Sequence, residues 1–443
     1  MNDWSKETMQ YIQSLEKKIE SLTKKLQKVE SDFAEYKKRH PPNTGMKHGK
    51  PYCFKSSNTS KIKKKPGAKK GHKPHNRSMP KEINETRYVP IAACPDCGHE
   101  VSEKLSETRE RVYEDIPVCT PIAVKVLIER RYCCHCKKLV ESRVPWVLPG
   151  ARIGLRTMLV VVWFKIYLRM TEEAIPQVLF QLFGFNLSEG EVICILNQVA
   201  KVFGPYYKQL IHDIRQVSAR NIDETSWRIN GLNSYLWVFV SKGISLYKIA
   251  HSRSHKVPLE ILGKNHKGVD IHDRFSAYKT LAKKTKNIQQ DGWMHIIKNA
   301  EELAHFYGKE GKHILTVLRE TYHNAKAFDH QGTNKDIEKL FKKMKKQLDQ
   351  AYKSHKCNRF VINLLKEKDN LFEFVRNPDV DGTNNAAERA VRPGVIARKI
   401  MGGNRSEKGA NNYEILMSVV QTLKKNEKNI VDHGPDIILT SHG

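Results

Sequence analysis

Along residues 1–39 apolar side chains recur at Ile12, Leu15, Ile19, Leu22, Leu26, Val29, Phe33 and Tyr36, three and four apart in alternation with polar residues between them. A stripe this narrow predicts a coiled coil. Lys25 with Glu30, and Asp32 with Lys37, fall at g and following e positions, where opposite charges pair across a parallel dimer. A single amphipathic helix lying on its own protein competes with this reading, but its stripe is usually wider. The segment is expected to bring two or more copies of the chain together.

His40-Pro41-Pro42 ends the helical pattern, and residues 40–80 are polar and punctuated by Gly and Pro. Within them residues 61–77 hold eight Lys and Arg. Lys63, Lys64, Lys65, Lys69 and Lys70 therefore suit a flexible arm lying along phosphates. A solvated tether without a partner is the plainer alternative.

Residues 81–150 contain two C-x-x-C knuckles, Cys94 with Cys97 and Cys133 with Cys136. Four thiolates so spaced are a ligand set for structural Zn2+ in a zinc-ribbon-like module. The β-branched run from Tyr113 to Cys133 is expected to supply strands that join the knuckles. Cys134 is a spare thiol or a rival ligand, while His99 and His135 read as surface residues.

Residues 151–216 follow a helical period. Gly184 marks a break, and Ser188 with Glu191 three residues on is a capping-box start for a second helix. The spacing permits a DNA-binding helix-turn-helix. Val192, Ile193, Ile195, Leu196 and Val199 make the second helix so apolar that a plain helical scaffold is the competing assignment.

From residue 217 the period changes to strands. Residues 220–229, 234–241 and 244–250 alternate as a three-stranded meander, with Asn230-Gly231 and Lys242-Gly243 at its turns. A short helix, a strand at 268–273, a helix and a last strand near Gln290 follow. This is the order of a ribonuclease H-like α/β core. In that order Asp223 on the first strand and Asp273 at the end of the fourth lie side by side. Glu388, at the start of the helix in Asn384-Asn385-Ala386-Ala387-Glu388-Arg389, supplies a third acid. Three such carboxylates suit two divalent ions, Mg2+ or Mn2+, in phosphoryl transfer. Glu224 competes with Asp223 as ligand and Asp270 with Asp273. Glu388 could instead only complement its helix dipole.

Charge narrows the partner. Lys and Arg number 77 against 48 Asp and Glu, a net charge of +29, which favours a polyanion, first of all double-stranded DNA. The longest apolar run, residues 159–164, is far too short to span a bilayer, and residues 1–10 carry no apolar signal segment. Nine cysteines, an odd number, fit a reducing compartment. A cytoplasmic, nucleoid-associated protein is expected.

The blocks at 222–231, 235–241, 268–278, 292–302 and 381–403, with the basic arm and the knuckles upstream, resemble transposases of the insertion-sequence 66 family. The resemblance runs in order from about residue 10 to about residue 425. It implies a multidomain α/β protein: coiled coil 1–39, arm 40–80, zinc module 81–150, helical domain 151–216, and a DDE catalytic core 217–425 with an all-helical insertion at about 293–378, then a tail 426–443. It implies Asp223, Asp273 and Glu388 as the metal-binding catalytic triad, and His295, Asn384 and Asn385 in support. Arg389, Arg392, Arg398 and Lys399 are then phosphate contacts. The implied activity binds the element's terminal repeats, cuts their 3′ ends and joins them to target DNA, with accessory proteins of the same element as conceivable helpers. The family's C-W-A-H-x-x-R block is here Gly292-Trp293-Met294-His295-Ile296-Ile297-Lys298, so its cysteine and arginine are replaced. A binding-only relic or repressor, and a structure-selective nuclease, are the alternative functions.

Overall fold

The computed structural model describes residues 78–440 apart from 92, 102–109 and 143, together with Glu20, Ser21, Thr23 and Gln27. The four early residues are helical. The rest of the heptad segment and the arm, including Lys63, Lys64, Lys65, Lys69 and Lys70, lie outside the described residues.

The chain divides into two compact units, Met1–Glu114 and Asp115–Gly443. In the first, the Cys94–Cys97 knuckle is closed by the Gly98 N–H donating to Cys94 O and the Cys94 N–H donating to His99 O, each at 2.8 Å. Gly98 takes φ +75°, a conformation that suits glycine. In the second, β1 (Arg130–Cys133) and β2 (Lys138–Glu141) form an antiparallel hairpin around the other knuckle, with Cys133 paired to Lys138. The strands expected between the knuckles reduce to β1. Residues 110–129 hold no regular structure, and Pro117 and Pro121 lack the N–H a ladder requires.

Between the hairpin and the main sheet lie three helices. Helix α1 (Leu155–Val162) runs on through a π-helical turn, Trp163–Tyr167; α2 (Ala174–Phe183) stops at Gly184 with φ +65°; α3 (Glu189–Ile214) starts from the Ser188/Glu191 capping box. Val192, Ile195 and Val199 of α3 are buried and Ile193 is exposed. The apolar face of α3 thus belongs to the main core.

That core is built on a five-stranded sheet in the order β5-β4-β3-β6-β7. Strands β3 (Ala219–Ile229), β4 (Leu232–Val240) and β5 (Ser245–Ala250) are antiparallel; β6 (Val269–His272) runs parallel to β3, and β7 (Ile288–Asp291) parallel to β6. Asn230 and Gly231 turn the first hairpin, both at positive φ, as a two-residue primed turn demands. Helix α4 (Lys256–Leu262) crosses from β5 to β6, and α5 (Ser276–Thr285) from β6 to β7. After β7 come α6 (Trp293–Phe306), α7 (Gly308–Lys326), α8 (Asn334–Leu348) and α9 (His355–Leu365), then α10 (Asn385–Met401), α11 (Glu407–Lys425) and α12 (Ile430–Thr440).

Apolar side chains of α1–α3, β3–β5 and α10–α12 fill one core. A second core joins α6–α9 to Ala219, Val269 and Ile271 of the sheet, so the helices between β7 and α10 pack as a body of their own on one side of the strands. No helix among the described residues is long and apolar enough to cross a membrane.

Candidate active site

Strand β3 carries Asp223 in its middle, half-buried, and β6 ends one residue before Asp273. Because β3 and β6 are hydrogen-bonded neighbours, their carboxylates approach from segments far apart in the chain. Glu388 comes from the first turn of α10, which lies over β3 and β4. Burial first, then the charge of Asp273, that of Glu224 and, more weakly, that of Glu388 push the Asp223 carboxyl up to about 8, against the N–H that Glu224 donates to it. Neighbouring carboxylates that raise the cost of ionising Asp223 make a place where a cation is favoured.

Glu388 does not yet point its charge at the other two alone. The Nε2 of His295, in the first turn of α6, lies 3.0 Å from its Oε1. Among the described residues no three His, Cys, Asp or Glu side chains are already arranged to hold one metal ion. Of the other two acids, Asp273 acts on Asp223 more strongly than Glu388 does. The donor set is nonetheless all oxygen, the chemistry that Mg2+ and Mn2+ prefer.

The two competing acids are occupied. Asp270 is fully buried and pairs with Arg220 Nε at 2.9 Å and His266 Nε2 at 2.9 Å, while Gln289 Nε2 donates to it at 3.2 Å. Burial raises its carboxyl, but His266 and Arg220 outweigh that and hold it below the ordinary carboxylate range. Glu224 is buried too, accepting from the Tyr278 hydroxyl and from Arg253 Nε at 2.9 Å. The Arg253 guanidinium also covers the Phe275 ring, 4.1 Å from its centroid. Both acids therefore brace the strands that carry Asp223 and Asp273.

Asn384 and Asn385 stand at the start of α10, where an asparagine side chain commonly caps a helix. Asn384 does occupy the cap position, but its side chain makes no cap hydrogen bond. Its Nδ2 instead donates to Ile222 O at 3.0 Å, and its Oδ1 accepts from Asn221 Nδ2 at 3.1 Å. The reason is proximity: β3 lies beside the helix start, and its backbone carbonyl is a buried acceptor that must be satisfied. Asn384 thereby fixes Glu388 relative to Asp223, and Asn385 is the first helical residue. Gly292, where the family's block has cysteine, donates its N–H to His272 O at 2.8 Å, and a Cβ there would stand 3.4 Å from Asn384 N.

Of the expected phosphate contacts, Arg389, Arg392 and Lys399 are exposed on α10, whereas Arg398 is engaged with the hydroxyl and carbonyl of Ser226. In each cysteine knuckle backbone N–H groups point at the first sulfur. Donation from Asp96 and Cys97 lowers the Cys94 thiol, and donation from Cys136 and His135 lowers Cys133.

A further set went unnoticed in the sequence. Arg274, just past Asp273, reaches Asp291 at 3.1 Å and Glu367 at 2.6 Å, and Lys279 also reaches Glu367. These pairs fasten the strand ends to the segment after α9. No local pattern announces them, because each partner sits on a different element.

A basic chain that brings acids of the neighbouring strands β3 and β6 close together has the outline of a DNA-processing enzyme. The family model described as Transposase IS66 family matches residues 153–412, more than half of the chain, and the chain belongs to that family. No curated protein matches it.

Proposed function

We propose that this chain is a DDE-type transposase with a ribonuclease H-like core, which binds the ends of its own element, cleaves their 3′ strands and joins them to target DNA. The observation that carries the reading is the raised carboxyl of Asp223, pushed up by burial and by the charges of Asp273, Glu224 and, more weakly, Glu388. The strand order, three antiparallel strands followed by two parallel ones, supports the core assignment.

Asp223, Asp273 and Glu388 would hold two Mg2+ or Mn2+ ions, which supply activation of a water or 3′-hydroxyl and stabilisation of the leaving oxygen. The protein's own residues do the rest. Asn384 ties the start of α10 to β3 and so sets the spacing of the acids. His295 holds Glu388 by one carboxylate oxygen, Oε1. Arg389 and Arg392 would present charge for the DNA backbone near Glu388, and Lys399 at the far end of α10. The N–H groups that lower the Cys94 and Cys133 thiols would favour the thiolate form that structural zinc requires. Pairing of two ends calls for at least a dimer, which the heptad segment would supply.

The test is cleavage of a labelled duplex carrying the element's end in Mn2+. The wild type should cut at the 3′ end. Asp273→Asn should bind the duplex as tightly and cut at least about a thousandfold more slowly. Equal cutting by both would remove Asp273 from the site.

A further inference from the structure

Helix α8 carries a row of lysines that the proposed chemistry does not use. Its buried side chains are Leu340, Phe341, Met344 and Leu348. Lys335, Lys339, Lys342 and Lys346 recur at i, i+4, i+7 and i+11, and all four are exposed. At 3.6 residues per turn they fall within one stripe about 60° wide, on the side opposite the buried set. The rise along the helix spreads them over about 16 Å, a distance in which one strand of B-DNA offers about five phosphates.

An exposed helix usually alternates its charges so that i, i+4 pairs attract. Here Lys335 with Lys339, and Lys342 with Lys346, set like charges at that spacing, which costs helix stability unless an anion lies across them. The nearby acids compensate the row only in part. Asp336 closes the capping box with Thr333 and is 3.9 Å from Lys339. Glu338 pairs first with Lys368 and only then feels Lys342, and Glu320 pairs with Lys343. Lys335 and Lys346 form no ion pair among the described residues.

We propose that Lys335, Lys339, Lys342 and Lys346 form a rail for the phosphodiester backbone of duplex DNA, apart from the catalytic acids and indifferent to base sequence. This rests on the reading of the chain as a DNA transposase. The rail would hold the duplex by the helical body between β7 and α10.

The test measures binding by the full-length chain, in chelator, of two labelled duplexes, one carrying the element's end and one unrelated, across a salt series. The variant replaces the four lysines by Gln. A second variant replaces Lys201, Lys208, Lys264 and Lys283, also exposed, by Gln, for the same loss of charge. The rail predicts that the slope of log affinity against log salt becomes shallower by about 3 to 4 for the first variant, equally on both duplexes, with little change for the second. Cooperative thermal melts with midpoints at or above that of the wild type assure that the fold is kept in both variants. An unchanged slope, an equal change in both variants, or a loss on the end duplex alone overturns the rail while the transposase reading stands. A folded wild type that binds neither duplex overturns both.

Discussion

His295 Nε2 and Glu388 Oε1 stand 3.0 Å apart, each in the first turn of its helix, α6 and α10. The contact joins the helical body that follows β7 to the helix bearing the third acid. Under the proposed function, a histidine so placed would orient the carboxylate without itself binding the metal. His295→Ala is expected to lower cleavage about tenfold to a hundredfold, the usual cost of losing a partner of a metal ligand, with affinity for duplex DNA unchanged. Single-turnover cleavage beside a binding assay checks this, and undiminished cleavage would make the contact incidental.

Asp270 and Asp273 should separate cleanly. Removing Asp270 leaves Arg220 as an uncompensated buried charge, so Asp270→Ala should cost about 3 to 5 kcal/mol in urea unfolding. Asp273→Ala should leave stability nearly unchanged and abolish cleavage. Because the folded protein holds Asp270 below its ordinary pKa, that stability is present above the unfolded value of 3.8 and is lost as pH falls through the folded one. A loss of stability in Asp273→Ala as large as in Asp270→Ala would reverse the two roles.

Asp223 has the opposite sign. Its carboxyl is raised from 3.8 to about 8, so the folded chain keeps a proton that the unfolded chain has released. In chelator its contribution to stability should decline as pH rises from 3.8 to about 8 and then level off. Asp223→Asn should flatten this decline and raise the melting temperature near pH 8, while losing the stabilisation that Mn2+ gives the wild type by binding the folded state. Melting curves with and without Mn2+ decide; a variant that still gains stability from Mn2+ would place the ion elsewhere.

Tyr278→Phe removes one of the donors to buried Glu224 and should cost about 1 to 3 kcal/mol. Arg253 remains to pair with the carboxylate, so cleavage should fall less than in Asp223→Asn. Urea titration and cleavage rates together test it. A stability equal to that of the wild type would show that the hydroxyl does not support β3.

Much of this arrangement was legible in the sequence because it is local. Asn230-Gly231 announces its hairpin, Ser188 with Glu191 announces the start of α3, and Gly184 announces the end of α2. The order of strands followed from the change of period after residue 217, and with it the neighbourhood of Asp223 and Asp273. What stayed hidden depends on side chains that meet from distant elements. Arg220 faces Asp270 across the parallel pairing of β3 and β6, Tyr278 and Arg253 converge on Glu224, and Asn384 turns from its helix to a strand carbonyl. None of these has a spacing signature, since the fold and not the chain sets their separation. The β-branched run before Cys133 shows the reverse failure: strand-forming residues without a donor row, interrupted by Pro117 and Pro121, gave four residues of strand.

The measurement closest to the central claim is strand transfer. Purified protein, Mn2+, a labelled duplex with the element's end and a plasmid target are combined, in parallel with Glu388→Gln. The account predicts joined product from the wild type and none from the variant, with equal binding of the end by both. Joined product from Glu388→Gln at the wild-type rate would contradict it.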